Sequence, residues 1–228
     1  KVDNLEIDLS QMIKRKDSII GSLNHHITKL FAHNKIDCIH GQGRLLAAEK
    51  VEVTEKKSGK QSLLTAEHII LATGSHPTHL PCAPLDGEYI INSTSALNLT
   101  QTPKRLGIIG AGIIGLELAG IWSRLGSDVI LLEAQESFLT STDKQISDEA
   151  FQIFTQQGLD LRLGARVISA KTDSNKVILE YQDSEGNHTL QLDKLIVASG
   201  REPNTENLAA AEADLLLDEN GFVHVDNN

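Results

Sequence analysis

Gly110, Gly112 and Gly115 carry the clearest chemical signal in the sequence, spaced as G-x-G-x-x-G in Gly110-Ala111-Gly112-Ile113-Ile114-Gly115. That spacing alone is a weak signal, but its context agrees on four counts. An apolar strand-like run precedes it, an apolar helix-like run opens at it, a second apolar strand follows, and Glu133 ends that strand 18 residues beyond the last glycine. Gly110 permits the tight turn from strand to helix. Gly112 has no side chain, so a diphosphate can approach the backbone, and Gly115 lets helix and strand pack closely. Free amide hydrogens and the positive end of the helix dipole then attract the phosphates. Glu133 can accept hydrogen bonds from both hydroxyls of an adenosine ribose, and it would repel a 2′-phosphate. The residues after it are Ala134, Gln135, Glu136 and Ser137. No arginine stands among them to take a 2′-phosphate, so NAD(H) is expected over NADP(H). Glu117, two residues past Gly115, has two open readings: a carboxylate merely steadied by the helix dipole, or a polar contact near the nicotinamide end of the coenzyme.

The elements that must position this turn read as β–α–β. Leu106–Ile109 is a short apolar strand, and Ile113–Leu125 a helix closed by Gly126 as a left-handed cap. Asp128–Leu132 is a second buried strand, and Asp143–Gln157 a second helix closed by Gly158. Leu159–Leu163 is a third strand. Val167–Lys171, Lys176–Tyr181 and Thr189–Leu192 alternate as an antiparallel meander, and Leu195–Ala198 is a further apolar strand ending in Ser199-Gly200-Arg201.

Upstream, Asp8 to about Asn34 is an amphipathic helix, with Met12, Ile13, Ile19, Ile20, Leu23, Ile27, Leu30 and Phe31 on one face. The pair His25–His26 points in two directions and cannot chelate one ion, so no metal site is expected there. Ile36–His40, Gly43–Ala47, Val51–Thr54 and Ser62–Thr65 are strand candidates of another meander. His68–Ala72 is a tighter apolar strand ending in Thr73-Gly74-Ser75. Residues 76–104 hold four of the five prolines and read as a crossover with one short helix after Ser93-Thr94-Ser95. Each meander is thus followed by an apolar strand ending in Ala-Thr-Gly or Ala-Ser-Gly, the echo that two mononucleotide-binding units in tandem would produce.

Composition narrows the partners. The 228 residues carry 21 Lys plus Arg against 31 Asp plus Glu, a net charge of −10, which disfavours nucleic acid and anionic membranes. No apolar run approaches the length of a bilayer span, and Lys1–Ser10 lacks the apolar core of a signal peptide. Cys38 and Cys82 lie 44 residues apart in no CxxC, CxxxxC or metal-ligand pattern, and read as free thiols in a reducing compartment. The sequons at Asn92, Asn98 and Asn187 are chance matches in that setting. The chain opens without Met and stops at Asp226-Asn227-Asn228 just after a strand-like run, so a piece of a longer protein is expected.

The run from Arg105 to Leu118 resembles the NAD-binding segment of the pyridine nucleotide-disulfide oxidoreductases. The continuation Ile121-Trp122-Ser123-Arg124-Leu125-Gly126 is similar to the dihydrolipoamide dehydrogenase branch, as is the linker Ser93-Thr94-Ser95-Ala96-Leu97. Leu71-Ala72-Thr73-Gly74-Ser75 resembles the family's chain crossing beside FAD. Ala198-Ser199-Gly200-Arg201-Glu202-Pro203-Asn204 resembles its Gly-Arg-x-Pro-Asn turn. These matches run the length of the chain in the family's order.

The resemblance implies an α/β fold: a Rossmann-like three-layer dinucleotide-binding domain, parallel sheet plus antiparallel meander, with part of a second, similar FAD-binding domain. The expected division is residues 1–75 for the truncated FAD domain, 76–104 for the linker, 105–203 for the NAD domain and 204–228 for the start of a return to the FAD domain. Gly43, Thr73, Gly74 and Ser75 would line the FAD site. Gly110, Ala111, Gly112, Ile113, Ile114, Gly115, Leu116, Glu117, Glu133, Val167 and Gly200 would contact NAD. Val167 and Gly200 rest on the resemblance alone; without it, they are a meander residue and a turn glycine.

The family's flavin G-x-G-x-x-G and its Cys-x4-Cys redox pair would lie before Lys1. Its Gly-Asp and its dimerisation domain with a His–Glu pair would lie after Asn228. The implied activity is a flavoprotein that reoxidises dihydrolipoamide through a disulfide and FAD to NAD+, with no catalytic residue in these 228 and the chain alone inactive. Implied partners are the lipoyl domain of a 2-oxoacid dehydrogenase complex and a second copy in a homodimer. The implied location is the bacterial cytoplasm or the mitochondrial matrix. The alternatives are a relative such as a soluble transhydrogenase, mercuric reductase or glutathione reductase, or a non-catalytic NAD-binding module.

Overall fold

The computed structural model describes residues 7–47, 49–209 and 213–225. The chain forms two compact units: Arg15–His76 with Arg201–Asn228, and Lys1–Lys14 with Pro77–Gly200.

The first unit takes up the long helix α1 (Leu9–His33) from Arg15 onward. The helix ends where Lys35 enters the left-handed region at φ 57° and the Ile36 amide reaches back to the Phe31 carbonyl at 2.9 Å, a Schellman-type stop. Its apolar face is bare: Ile19, Ile20, Leu23, Ile27 and Leu30 are all exposed. Next come β1 (Gly41–Ala47), β2 (Lys50–Glu55) and β3 (Gln61–Thr65), an antiparallel meander in which Gly43 faces Val53, and Val53 in turn faces Ser62. The β2–β3 turn is made by Gly59 at φ 67°, and Ser58 donates to Glu55 across it at 2.6 Å. β4 (Ser75–Pro77) is short.

Two expected strands are not formed. Ile36–His40 and His68–Ala72 carry no regular structure, and Ile70 is 90 % exposed. An apolar run becomes a strand only when a neighbouring chain takes its amides and carbonyls, and among the described residues neither run has a ladder partner.

The second unit holds the parallel sheet. After the proline-rich stretch come β5 (Ile90–Asn92) and the short helix α2 (Ser93–Ala96), capped by the Asn92 side chain, which accepts from the Ser95 amide at 2.9 Å. β6 (Arg105–Ile109) leads into α3 (Ile113–Arg124), and β7 (Asp128–Leu132) precedes α4 (Lys144–Gln156). Asp143 caps α4 by accepting from Gln145 N–H at 2.9 Å. Then follow β8 (Asp160–Arg162), β9 (Arg166–Asp173), β10 (Lys176–Asp183), β11 (Gly186–Leu192) and β12 (Lys194–Val197). The last strand, β13 (Arg201–Pro203), returns to the first unit and pairs with β4.

The parallel sheet runs β5-β12-β6-β7-β8, and β9–β11 form an antiparallel meander in the order β11-β10-β9. Side chains alternate between two cores. Leu106, Ile108, Val129, Leu131 and Ile196 pack with Leu116, Leu118, Ala119 and Trp122 of α3. Ile109, Ile130, Leu132, Leu195 and Val197 pack with Val177, Leu179, Tyr181 and Leu192 of the meander. Both faces are therefore covered, which explains why the central strands are continuously apolar. The three layers are helices, parallel sheet and meander, the α/β architecture expected from the sequence. The sequence does not point to β5: Ile90 and Ile91 are both 2 % exposed, but they sit in the proline-rich stretch that reads as linker.

Candidate dinucleotide-binding site

β6 lies at the centre of the parallel sheet, with β7 following on one side and β12 on the other. Strand order reverses there, and such a reversal leaves a crevice at the carboxyl ends of the strands. A cleft of about 860 Å³ occupies that position, within the range of small-molecule sites.

Its floor is built from the glycine turn. Gly110 adopts φ +100°, and its amide donates to the Leu132 carbonyl at 2.8 Å. A Cβ at Gly110 would sit 2.5 Å from the Ala198 carbonyl oxygen, so the end of β6 passes hard against the end of β12. A Cβ at Gly115 would sit 1.9 Å from the Gly110 carbonyl oxygen, which no rotation relieves. Gly112 is different in kind. Its backbone is ordinary, φ −75° and ψ −177°, and a Cβ there would meet nothing within 4 Å. It is the N-cap of α3 and supplies no side-chain cap. The first amides of the helix thus face open space at the positive end of the helix dipole.

Glu133, at the tip of β7, points into this turn. One carboxylate oxygen accepts from the Ala111 amide at 2.9 Å and the other from the Gln135 amide at 3.0 Å. Its own backbone is held on both sides: its amide donates to Arg162 O at 2.9 Å, and Ala165 N–H donates to its carbonyl at 2.8 Å. A carboxylate offers about four lone-pair positions, so two remain for outside donors. Bare helix amides, a glycine with room above it and a braced acceptor beside it together fit the diphosphate and ribose of a dinucleotide.

Of the residues singled out from sequence, Gly110, Ala111, Gly112, Ile113, Ile114, Glu133, Val167 and Gly200 line the cleft. Ile113 is 73 % exposed at its mouth. Gly115, Leu116 and Glu117 do not line it. Gly115 acts through packing, Leu116 is buried in the helix-side core, and Glu117 is exposed on α3.

Gly43, Thr73, Gly74 and Ser75 belong to the other unit and are exposed. There the Thr73-Gly74-Ser75 turn, with Gly74 at φ +71°, is clamped from the end of β13. Arg201 Nε donates to Ser75 Oγ at 2.8 Å, Asn204 Nδ2 donates to Thr73 O at 3.0 Å, and Asn204 N–H donates to Gly74 O at 3.0 Å. These four residues offer backbone groups and small side chains, and none of them lines the cleft of the parallel-sheet unit.

Several cleft residues carried no signal in the sequence. Leu80 and Cys82 arrive from the proline-rich stretch, and Arg166 arrives from the start of β9. The run after Glu133 carries no arginine, and Arg166 lines the same cleft from the start of β9. Gly164, at φ +66°, donates its amide to Gln135 O at 2.9 Å, so the turn into β9 is tied to the tip of β7. Arg162, whose carbonyl takes the Glu133 amide, has its side chain engaged elsewhere. Its guanidinium forks onto Asp160 and donates to Tyr181 Oη at 2.6 Å, and the Asp160 carboxylate pushes its pKa up. Among the described residues no cluster of His, Cys, Asp or Glu suits a metal ion, and no helix is long and apolar enough to cross a membrane.

Comparison with known proteins shows the family and the fold. The sequence profile described as pyridine nucleotide-disulphide oxidoreductase matches residues 3–228. Dihydrolipoyl dehydrogenase of Cupriavidus necator is 40 % identical over 228 residues, all of this chain and 48 % of that protein. Mitochondrial dihydrolipoyl dehydrogenase of Schizosaccharomyces pombe is 33 % identical over 227 residues, 99 % of this chain and 44 % of its own. The HOCl-induced flavoprotein disulfide reductase RclA of Escherichia coli superposes with a TM-score of 0.81 at 32 % identity, over 97 % of this chain and 49 % of its own. LpdA of Mycobacterium tuberculosis, at 24 % identity and TM-score 0.88 over 98 % of this chain and 49 % of its own, shares the fold. The chain spans about half the length of the curated relatives it matches. With the profile matched over residues 3–228 and 40 % identity to a relative over the full chain, the chain belongs to the pyridine nucleotide-disulphide oxidoreductase family.

Proposed function

We propose that this chain is the NAD(H)-binding part of a dihydrolipoyl dehydrogenase, a flavoprotein that returns dihydrolipoyl groups to the disulfide. The observation that carries the NAD(H) reading is the Glu133 carboxylate braced by Ala111 and Gln135 amides beside a glycine turn open above Gly112. The helix amides from Gly112 onward would take the diphosphate, Glu133 the adenosine ribose, and Val167 and Gly200 the walls toward the nicotinamide end. Held there, the coenzyme would supply the hydride acceptor for a reduced flavin. The residues of this chain orient the coenzyme for that transfer, which converts an encounter into an effectively unimolecular step. Gly43, Thr73, Gly74 and Ser75 would line part of the FAD site. Cys38 and Cys82 have no redox-pair spacing, so neither is assigned to the dithiol exchange. The partners of the whole protein would be the lipoyl domain of a 2-oxoacid dehydrogenase complex and a second copy of itself. Its place would be the cytoplasm of a bacterium or the mitochondrial matrix.

The test is NAD+ reduction by the whole flavoprotein, followed at the NADH absorbance, with dihydrolipoamide as donor. Steady turnover with NAD+ and little with NADP+ supports the reading, and no turnover with any dihydrolipoyl donor overturns it. The 32 % identity to a flavoprotein disulfide reductase of another kind supports a second reading, in which the same NAD(H) site drives reduction of a different disulfide. In that case NADH is consumed with another disulfide substrate while dihydrolipoamide remains inert.

A further inference from the structure

Of the described residues that line the cleft, Glu133 and Arg166 are the two that carry charge. Both line the one cleft from positions far apart in the chain, and their backbone segments are tied to each other. Ala165 and Gly164 donate their amides to the carbonyls of Glu133 and Gln135, at 2.8 and 2.9 Å, and Arg166 is the next residue. A Cβ on Gly164 would lie 3.6 Å from Glu136 Cγ, so the β9 entry packs directly on the segment after β7. Arg166 is exposed and forms no ion pair among the described residues, whereas Arg162 is spent on Asp160 and Tyr181. Glu133, in turn, has both oxygens fixed by backbone amides, so its charge cannot swing away from the cleft.

We propose that Arg166 is a specificity-determining residue of this cleft, a latent cationic partner for a phosphate on the adenosine 2′-oxygen that Glu133 holds silent. This deepens the NAD(H) reading above and rests on it. A guanidinium fork matches a phosphate in a bidentate way, and a carboxylate beside it opposes the same group. Preference for NAD(H) over NADP(H) is then a balance between two residues. The cation lies 33 residues beyond the acid in sequence, and the positions directly after the acid carry none.

The experiment is calorimetric titration of NADH and NADPH into the purified protein and into the variants Glu133→Gln, Arg166→Ala, the double variant and Arg166→Glu. The parent is expected to bind NADH well and NADPH weakly. Glu133→Gln keeps one acceptor for the turn and should tighten NADPH about tenfold or more, the scale of one charge-assisted hydrogen bond. Adding Arg166→Ala should abolish that gain, and the gain should shrink with added salt. In the native background Arg166→Glu should weaken NADPH about tenfold further while moving NADH about threefold or less. That arm holds even where Glu133→Gln fails to fold. An NADPH gain that survives loss of Arg166, or NADPH binding indifferent to Arg166→Glu, overturns the proposal while leaving the NAD(H) reading intact. Failure of the parent to bind NADH overturns the NAD(H) reading itself.

Discussion

The carboxylate of Glu133 accepts the Ala111 amide at 2.9 Å, bridging the tip of β7 to the turn after β6 across 22 residues of sequence. The same side chain therefore serves two ends: it fixes the shape of the glycine turn, and it presents its remaining lone pairs to the cleft.

Removing that carboxylate should be felt in both properties. Glu133→Ala leaves the Ala111 and Gln135 amides without their acceptor, which costs about 1–3 kcal/mol of stability where those amides are shielded from water. NADH affinity should fall by a similar amount. Urea denaturation with a two-state fit measures the first and calorimetry the second. Unchanged values for both would remove Glu133 from the account.

Gly115 and Gly21 should answer oppositely to the same substitution. Alanine at Gly115 places a methyl 1.9 Å from the Gly110 carbonyl oxygen, backbone that cannot step aside, and should cost about 3 kcal/mol or more. Alanine at Gly21, on the open surface of α1 with nothing within 4 Å, should gain about 0.5–1 kcal/mol through lost backbone freedom in the unfolded chain. The denaturant midpoints of the two variants should fall on either side of the parent.

Asp193 gives a pH dependence of known sign. Lys176 beside it and the Arg105 amide at 2.8 Å hold its carboxyl below the ordinary 3.8. The folded-state value is thus lower than the unfolded one. The stability it adds is complete above the unfolded value and is lost as pH falls through it toward the folded one. Asp193→Asn should therefore lower the thermal midpoint at pH 7, and the gap between variant and parent should narrow steadily below about pH 4. A gap independent of pH would mean that the ion pair to Lys176 adds nothing.

The glycine turn and the strands around it were legible because their signals are local. A run such as Leu106–Ile109, apolar on both faces, has few fates other than a buried parallel strand, and Gly110 to Glu133 spans one β–α–β unit. Strand formation is not local, and there the sequence misled. His68–Ala72 has the composition of a strand and lacks a lateral partner here, while Ile90–Asn92 sits among prolines and becomes a strand because β12 is beside it. Arg166 was invisible for the same reason. Its proximity to Glu133 is set by two amides of the β8–β9 turn, and no spacing rule reaches from one strand tip to the next strand's start.

Gly112→Ala tests the central claim most directly, because the structure leaves that methyl room and the backbone there is open to any residue. Among the described residues nothing lies within 4 Å of such a Cβ, so it would obstruct what approaches the helix mouth from outside. Calorimetric titration with NADH, paired with thermal denaturation of the same samples, should show affinity reduced about tenfold or more while stability falls by about 1 kcal/mol or less, the cost of a poorer helix cap. NADH binding equal to that of the parent would place the dinucleotide elsewhere and contradict the account.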